Sequence, residues 1–417
     1  CGSIKPLNTL MDFYDIIIAG GGPAGMSAAA ELSKDFKILI LEKKKPGTTQ
    51  TTWYSYEDRA VKYELEDAIA VRTKYIKFTA PTVEHFMKDE CVVFDQQKVL
   101  EIWMERAKSN GAVVKHEAFI AYYHLDNEIV VETNLGNYRA SLLIDSMGIN
   151  SSILQKNKLV KRKDAWVIYG AKMSNVVLDN PLQLEYLPLN DEENTYIGIH
   201  PHNENETNIY AFKGQKNTFG NPKELKEKFE RFINEFQPNA KQISILEGTI
   251  VSGTLKKYAL DKVIFFGSSG MLNPDGCGMG FNEILMKHRA FSDGIREVMK
   301  TKSLDEKSLQ RVAYALKDPE TINFQKIIGA FSLYFIRSPG KWDGGVKWLN
   351  AMGEDSKYWM RNEMTLDWIK RANLKLNGVI PFKETYKMIP LKDFLFILGQ
   401  YIRFKIKSKK SDFRNSA

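Results

Sequence analysis

The sequence predicts an α/β fold: a sheet domain built on glycine-loop units, a mixed β-sheet domain, and a helical C-terminal region. Three observations predict it. An apolar run of strand length, "YDIIIA" (Tyr14 to Ala19), leads into six residues rich in glycine and then into the helix-forming "MSAAAELS". A second strand, glycine loop and helix unit, "VIFFGSSGMLNPDGCGMGFNE", spans Val263 to Glu283. Between the two, "AWVIYGAKMSN" and "NTYIGIHPHNENETNIYAF" carry the alternation of strands.

Bulk properties narrow the class. With 417 residues, 43% hydrophobic and 26% charged, the chain is long enough for two domains with substantial cores, and disordered or fibrous classes are set aside. No uninterrupted apolar run approaches the roughly 18 residues that a membrane-spanning helix needs. The net charge of +8 is uneven, because the tail "RFKIKSKKSDFRNSA" from Arg403 holds six basic residues against one acid. Such a tail suits an anionic surface; with no nucleic-acid motif in view, the expected surface is lipid rather than nucleic acid. The preceding "LKDFLFILGQYIRFKIK" suits a helix lying in a headgroup layer, or a core helix with a frayed end. Cys1, Cys91 and Cys277 are scattered without a CxxC, which argues against a disulfide scaffold and against a zinc site. The expected location is the cytoplasm, peripheral at the inner membrane face. Cys1-Gly2-Ser3 has the look of a mature lipoprotein end, but Met11, just ahead of the first strand, is a credible natural start, so an upstream extension is the preferred reading.

The first glycine loop reads Gly20-Gly21-Gly22-Pro23-Ala24-Gly25 and stands where the dinucleotide fingerprint must stand: after a strand, opening a helix, with a second strand "FKILILE" beyond. In this pattern Gly20 permits the tight turn, Gly22 lets backbone approach a pyrophosphate, and Gly25 lets helix and strand pack closely. The helix N-terminus faces the anion. Glu42, at the end of the next strand, is placed to accept hydrogen bonds from a ribose diol, which implies an adenine dinucleotide without a 2′-phosphate. NAD and FAD both satisfy these requirements.

Later segments favour FAD. "FDQQKVLEIWMERAKSNGAVV" reads as a helix and a strand, and "ASLLIDSMGINSS" as a buried strand ending in Asp145-x-x-Gly148. This order resembles the flavoprotein group that includes aromatic hydroxylases, geranylgeranyl reductases and lycopene cyclases. The resemblance covers about the first 300 residues. It implies a discontinuous Rossmann-type FAD domain (11–150 and 247–300), a mixed β-sheet substrate domain (151–246) and a helical C-terminal cap with a basic tail (301–417). It places Asp145 and Gly148 beside the dinucleotide, and Gln96 or Gln97 at the cofactor, with Gln97 taken as the contact. It also makes the second glycine loop the segment that reaches the flavin, through Gly267, Ser268, Gly276, Gly278, Met279 and Gly280.

Most of that group carry an Asp where this chain has Ser268, and lycopene cyclases share the small residue and a Met-x-x-Pro like Met271 to Pro274. "NPDGCGMGFNEILMKHRA" is similar to geranylgeranyl reductases, and "TTWYSYEDR" (Thr51 to Arg59) resembles a cyclase segment. The acidic pair of cyclases is replaced by Ala211 and Phe212, and the Trp pair of halogenases is missing. The implied function is FAD-dependent conversion of a lipophilic isoprenoid or carotenoid-like substrate, by double-bond reduction or redox-neutral cyclisation. The alternatives are a flavin monooxygenase of the aromatic-hydroxylase type and a non-catalytic, flavin-binding membrane adaptor. Candidate catalytic groups are Glu185, Asp275 and Cys277, with Glu57, Asp58, His200 and His202 as further acids or bases. No second dinucleotide fingerprint is present, so NADPH is expected to act transiently, or a donor protein to deliver electrons. The aromatics beyond residue 301 either line a hydrophobic tunnel or form a helical core.

Overall fold

The computed structural model describes residues 11–49, 51–190, 194–216, 218, 220–274, 278–317, 340–379 and 395. Its strands fall into two eight-stranded sheets. The first contains β1 (Phe13–Ala19), β2 (Ile38–Leu41), β6 (Val113–Lys115), β7 (Phe119–Leu125), β8 (Glu128–Thr133), β9 (Asn137–Asp145), β15 (Ala259–Leu260) and β16 (Val263–Phe265). The second contains β3 (Tyr54–Tyr56), β4 (Ile69–Thr79), β5 (Glu84–Phe94), β10 (Val160–Ser174), β11 (Gln183–Asn190), β12 (Thr195–Pro201), β13 (Glu206–Lys216) and β14 (Lys241–Leu255).

In the first sheet β1 lies between β9 and β2, parallel to both, and β16 adds parallel to β9. Strands buried on both faces need continuous apolar runs, and Ile16, Ile17, Ile18 and Ile38 to Leu41 supply them. The helix α1 (Pro23–Leu32) follows β1. Register then does the positioning: Ala19 pairs with Asp145, and Asp145 with Phe265, so β1, β9 and β16 end level and their loops emerge side by side. That is the edge at which parallel α/β sheets bind ligands.

The second sheet runs β14-β10-β13-β12-β11-β4-β5-β3 and is antiparallel except between β11 and β4. Alternation gives it two distinct faces. Val167, Tyr169, Ile197, Ile209 and Ala211 pack against Phe229 and Phe232 of a helix at Lys226–Phe236. Trp166, Tyr186, Tyr196 and Phe212 turn the other way, toward helices at Trp342–Met352, Ser356–Arg361 and Leu366–Val379 that bury Trp348, Trp359 and Trp368.

The expected substrate-domain boundaries at 151 and 246 do not match this sheet. It recruits β3, β4 and β5 from the first hundred residues and carries β14 on to Leu255. They join it through the pairing of β4 with β11, Tyr75 opposite Gln183, and local pattern carries no information about so distant a pairing. The described part of the C-terminal region is helical, as expected, while the basic tail lies outside the described residues. Among the described residues no helix is long and apolar enough to cross a membrane.

Candidate active site

The two glycine loops touch. Gly267 ends β16 with φ +75°, and a Cβ there would lie 2.5 Å from the Cβ of Ala24 in the first loop's helix. Gly20, at φ +104°, is held equally closely, since a Cβ would meet the carbonyl oxygen of Ser146 at 2.5 Å. The loops after β1, β9 and β16 are thus packed into one unit. Ser269 completes it, its hydroxyl lying within hydrogen-bonding distance of the carbonyls of Asp145 (2.6 Å) and Phe266 (2.9 Å) and sharing its one hydrogen between them.

Within this unit some positions are closed and some are open. A Cβ on Gly25 would sit 1.9 Å from the carbonyl oxygen of Gly20, so Gly25 serves close packing of helix on loop. Gly22 and Gly148 face open space, with nothing within 4 Å of where a Cβ would project. Gly22 is also the N-cap of α1, whose first turn, with Pro23 at its start, has no side-chain cap and no acidic residue. Its free N–H groups are therefore left for an anion. Glu42 accepts from the N–H of Gly21 (2.7 Å) and of Lys44 (2.8 Å), which fixes its carboxylate at the loop. A carboxylate has about four lone-pair sites, so two remain for a diol.

Asp145 acts differently from a ligand-facing acid. Its carboxylate is fully buried, accepting from the Ser151 hydroxyl and from the N–H of Met147 (3.0 Å). Burial pushes its pKa up to about 6, against the lowering effect of those bonds. Asp145 shapes the loop, and Gly148 presents its open face. Of the two glutamines, Gln97 is exposed and bonds Glu101 (2.9 Å), whereas Gln96 is buried with its Oε1 unpaired. The inward-facing residue is Gln96, and the choice of Gln97 is corrected: the first turn of the helix at Gln96–Ser109 rotates the second glutamine to solvent.

The loops open onto a cavity of about 370 Å³ between the two sheets. Pro23, Ser268, Gly278, Met279 and Gly280 line one side. A Cβ on Gly280 would overlap the Asn273 side-chain amide, so glycine at the start of the helix at Gly280–Lys300 lets Asn273 keep its place. Asn273 in turn donates to the Val251 carbonyl (2.7 Å) and lies 3.5 Å from the Ser268 hydroxyl. The segment around Trp53 fastens the start of this helix. Trp53 stacks on Phe281 with centroids 4.7 Å apart, and Asn282 bonds the Ser55 hydroxyl, the Tyr54 carbonyl and the Arg59 guanidinium.

Aromatic residues of the second sheet and the C-terminal helices form the opposite wall: Trp166, Tyr186, Tyr210, Phe212, Trp342 and Trp359. At the centre of this wall His200 is buried with Nε2 3.0 Å from the Tyr186 hydroxyl and 2.8 Å from that of Tyr210. Burial pushes the imidazole down to about 3, so it is neutral at physiological pH. Burial likewise raises Tyr54, Tyr186 and Tyr210 well above the usual phenol range. Sequence reasoning noticed His200 but missed the tyrosines, since three phenols from three strands converge only through sheet register.

The candidate catalytic carboxylates fall elsewhere. Glu185 neighbours Tyr186, and strand alternation turns it to the other face, where it meets Lys77 (3.4 Å) and accepts from Thr79 (3.2 Å). It is not a cavity acid, and that assignment is corrected. Glu57 pairs with Arg72 and Asp58 with Arg361 at the surface. His202 is buried outside the cavity lining. Asp275, Gly276 and Cys277 lie outside the described residues.

No protein-family model matches the chain, and no curated protein matches it by sequence. Solved structures do. A geranylgeranyl bacteriochlorophyll reductase-like protein from Thermoplasma acidophilum aligns at 17% identity over 91% of this chain and 100% of its own, with a TM-score of 0.67. The p-nitrophenol 4-monooxygenase PnpA from Pseudomonas putida aligns at 14% identity over 87% and 99%, with a TM-score of 0.65. A variant of the halogenase PltM, crystallised with FAD, aligns at 14% identity over 88% and 85%, with a TM-score of 0.61. At these identities what is shared is the fold, and the chain has the Rossmann-type fold of FAD-binding flavoproteins.

Proposed function

We propose that this protein is an FAD-dependent oxidoreductase that reduces a carbon–carbon double bond of a lipophilic, isoprenoid-like substrate. The observation that carries the reading is the single cavity bounded by both glycine loops on one side and by an aromatic wall on the other. The residues fit the cofactor. Gly20 to Gly25 and the start of α1 would hold the pyrophosphate and Glu42 the ribose. Gln96 and Gly148 would flank the dinucleotide, while Ser268 and Gly278 to Gly280 would hold the flavin end.

When bound, FAD supplies hydride chemistry at this place. The chain's own residues do the rest. Tryptophan, tyrosine and phenylalanine side chains exclude water and match an apolar substrate. Glu247 is the one acidic residue on the lining among the described residues, and its pairing with Tyr169 turns its side chain to the opposite sheet face. A redox-neutral cyclisation needs an acid strong enough to protonate an alkene, and this wall presents phenols and a neutral imidazole instead. Reduction is therefore the better reading. Transient NADPH, or a donor protein, would recharge the site, and the basic tail would bring it to a membrane holding the substrate.

The test is anaerobic incubation of the reduced protein with a geranylgeranyl lipid and, separately, with lycopene, followed by mass analysis. A gain of two hydrogens per saturated bond is expected. An unchanged mass with a new ring identifies a cyclase, and added oxygen under air identifies a monooxygenase. Bound flavin that neither NADPH nor dithionite reduces would mark a non-catalytic adaptor.

A further inference from the structure

One row of residues runs across four strands of the second sheet. Tyr186 on β11 pairs with Gly198 on β12, Gly198 with Tyr210 on β13, and Tyr210 with Gly170 on β10. The two glycines make the room. A Cβ on Gly198 would lie 2.5 Å from the ring of Tyr210, and one on Gly170 would lie 2.4 Å from its Cα. With no side chain between them, Tyr186 and Tyr210 lean together over the strand and meet His200, two residues along the same face of β12. Their rings and that of Tyr54 all stand edge-on to the imidazole, at 5.0–5.5 Å.

A count of hydrogens shows what this cluster lacks. Tyr186, Tyr210 and His200 bring three polar hydrogens, and both phenols bond the same atom, Nε2. If the ring proton is on Nδ1, that N–H has no acceptor, because Nδ1 is buried without a partner. If it is on Nε2, that N–H serves one phenol oxygen, and neither phenol hydrogen finds an acceptor within the trio. Either tautomer leaves a donor unpaired. The indole N–H of Trp166, on the same cavity wall, is also buried with no partner. Buried donors without acceptors are costly, so the wall is short of an acceptor.

We propose that this cluster anchors the substrate by a carbonyl oxygen, so that the lipophile this site takes is an α,β-unsaturated carbonyl compound. A carbonyl oxygen accepts without donating, which is what the count requires; a hydrocarbon leaves it unmet. The inference deepens the reductase reading and rests on it for treating the cavity as the substrate site. The same donors then supply the proton. As hydride adds to the β-carbon, the alkene pair moves to form the enolate and its oxygen takes the Tyr210 hydrogen; on release the enol tautomerises to the saturated carbonyl compound and solvent returns a proton to Tyr210.

Trp166, Trp342 and Trp359 line the cavity, so ligand entry is read by quenching of tryptophan fluorescence. The probes are β-ionone, a lipophilic enone, and the hydrocarbon of the same skeleton without the oxygen, titrated into the purified full chain. The enone should bind about tenfold more tightly, and Tyr210→Phe should remove about that factor for the enone while leaving the hydrocarbon unchanged. Tyr186→Phe should act in the same direction. Equal affinity for the two probes, or variants that weaken both alike, overturns the anchor. Flavin absorbance of the same samples separates the two ideas: loss of FAD binding sinks the reductase reading, whereas the probe difference tests the anchor with or without it.

Discussion

Two buried residues give the protein opposite responses to acid. His200 has its folded pKa pushed down to about 3, below the ordinary 6.5, so as pH falls through 6.5 the unfolded chain takes up a proton that the folded chain refuses. Stability is lost in that direction, at about 1.4 kcal/mol per pH unit once the unfolded histidine is protonated. Asp145 has its folded pKa raised to about 6 from 3.8, so the folded chain binds the extra proton between these values, and stability is lost as pH rises through 6. Between about pH 4 and 6 the two slopes oppose each other. Asp145→Asn should expose the histidine slope, and chemical denaturation across this range is expected to show the variant losing stability faster on acidification than the parent. A variant that tracks the parent would show that the folded chain does not hold the extra proton on Asp145. At this scale the sequence was partly legible. Glu185 and Tyr186 are neighbours, and composition favoured the carboxylate; only the face of the strand, set by pairing with β12, shows that the phenol is the residue in the cavity.

At the scale of elements, strand, glycine loop and helix units could be read directly, because their signals are local. The strand supplies an apolar run, the glycines mark the turn, and helical spacing follows. That the two units make one site was an implication of family resemblance, and its physical basis is the contact of Gly267 with Ala24. The loop's departure from an acid at Ser268 has a consequence here. Ser268 lines the cavity beside Asn273, and a hydroxyl makes weaker bonds to a ribityl chain than a carboxylate does. Ser268→Asp should therefore tighten FAD retention, measured as flavin left after dialysis; unchanged or lower retention would show that this loop does not meet the ribityl chain. The Trp53 segment, which resembles a lycopene-cyclase sequence, is the clamp on the helix that follows this loop. Its partners, Phe281 and Asn282, are more than two hundred residues away in sequence, which is why its role could not be read.

For the whole molecule, the half-buried Arg361 ties the C-terminal helices to the second sheet, alongside the bonds of Trp342 to Thr79 and of His85 to Asn350 and Ser356. Arg361 grips Asp89 with two hydrogen bonds, 2.8 and 2.7 Å, and its guanidinium lies 4.3 Å from the ring centroid of Tyr56. Asp89 is 8% exposed, so Arg361→Ala leaves a carboxylate stranded, at an expected cost of about 3 kcal/mol in unfolding free energy. A change below 1 kcal/mol would show that the cap does not depend on this tie. The two-sheet architecture as a class was legible from patterning, but its division was not: β3, β4 and β5 join a sheet whose other strands begin at residue 160. On this reading three strand ends hold both glycine loops against one FAD. The most direct measurement is the molar ratio of FAD to protein for the parent, Gly20→Ala and Gly267→Ala, with thermal melting to establish that each is folded. One FAD per chain is expected in the parent, with loss of FAD from both folded variants. Two FAD per chain, no FAD in the parent, or full retention in either variant would contradict it.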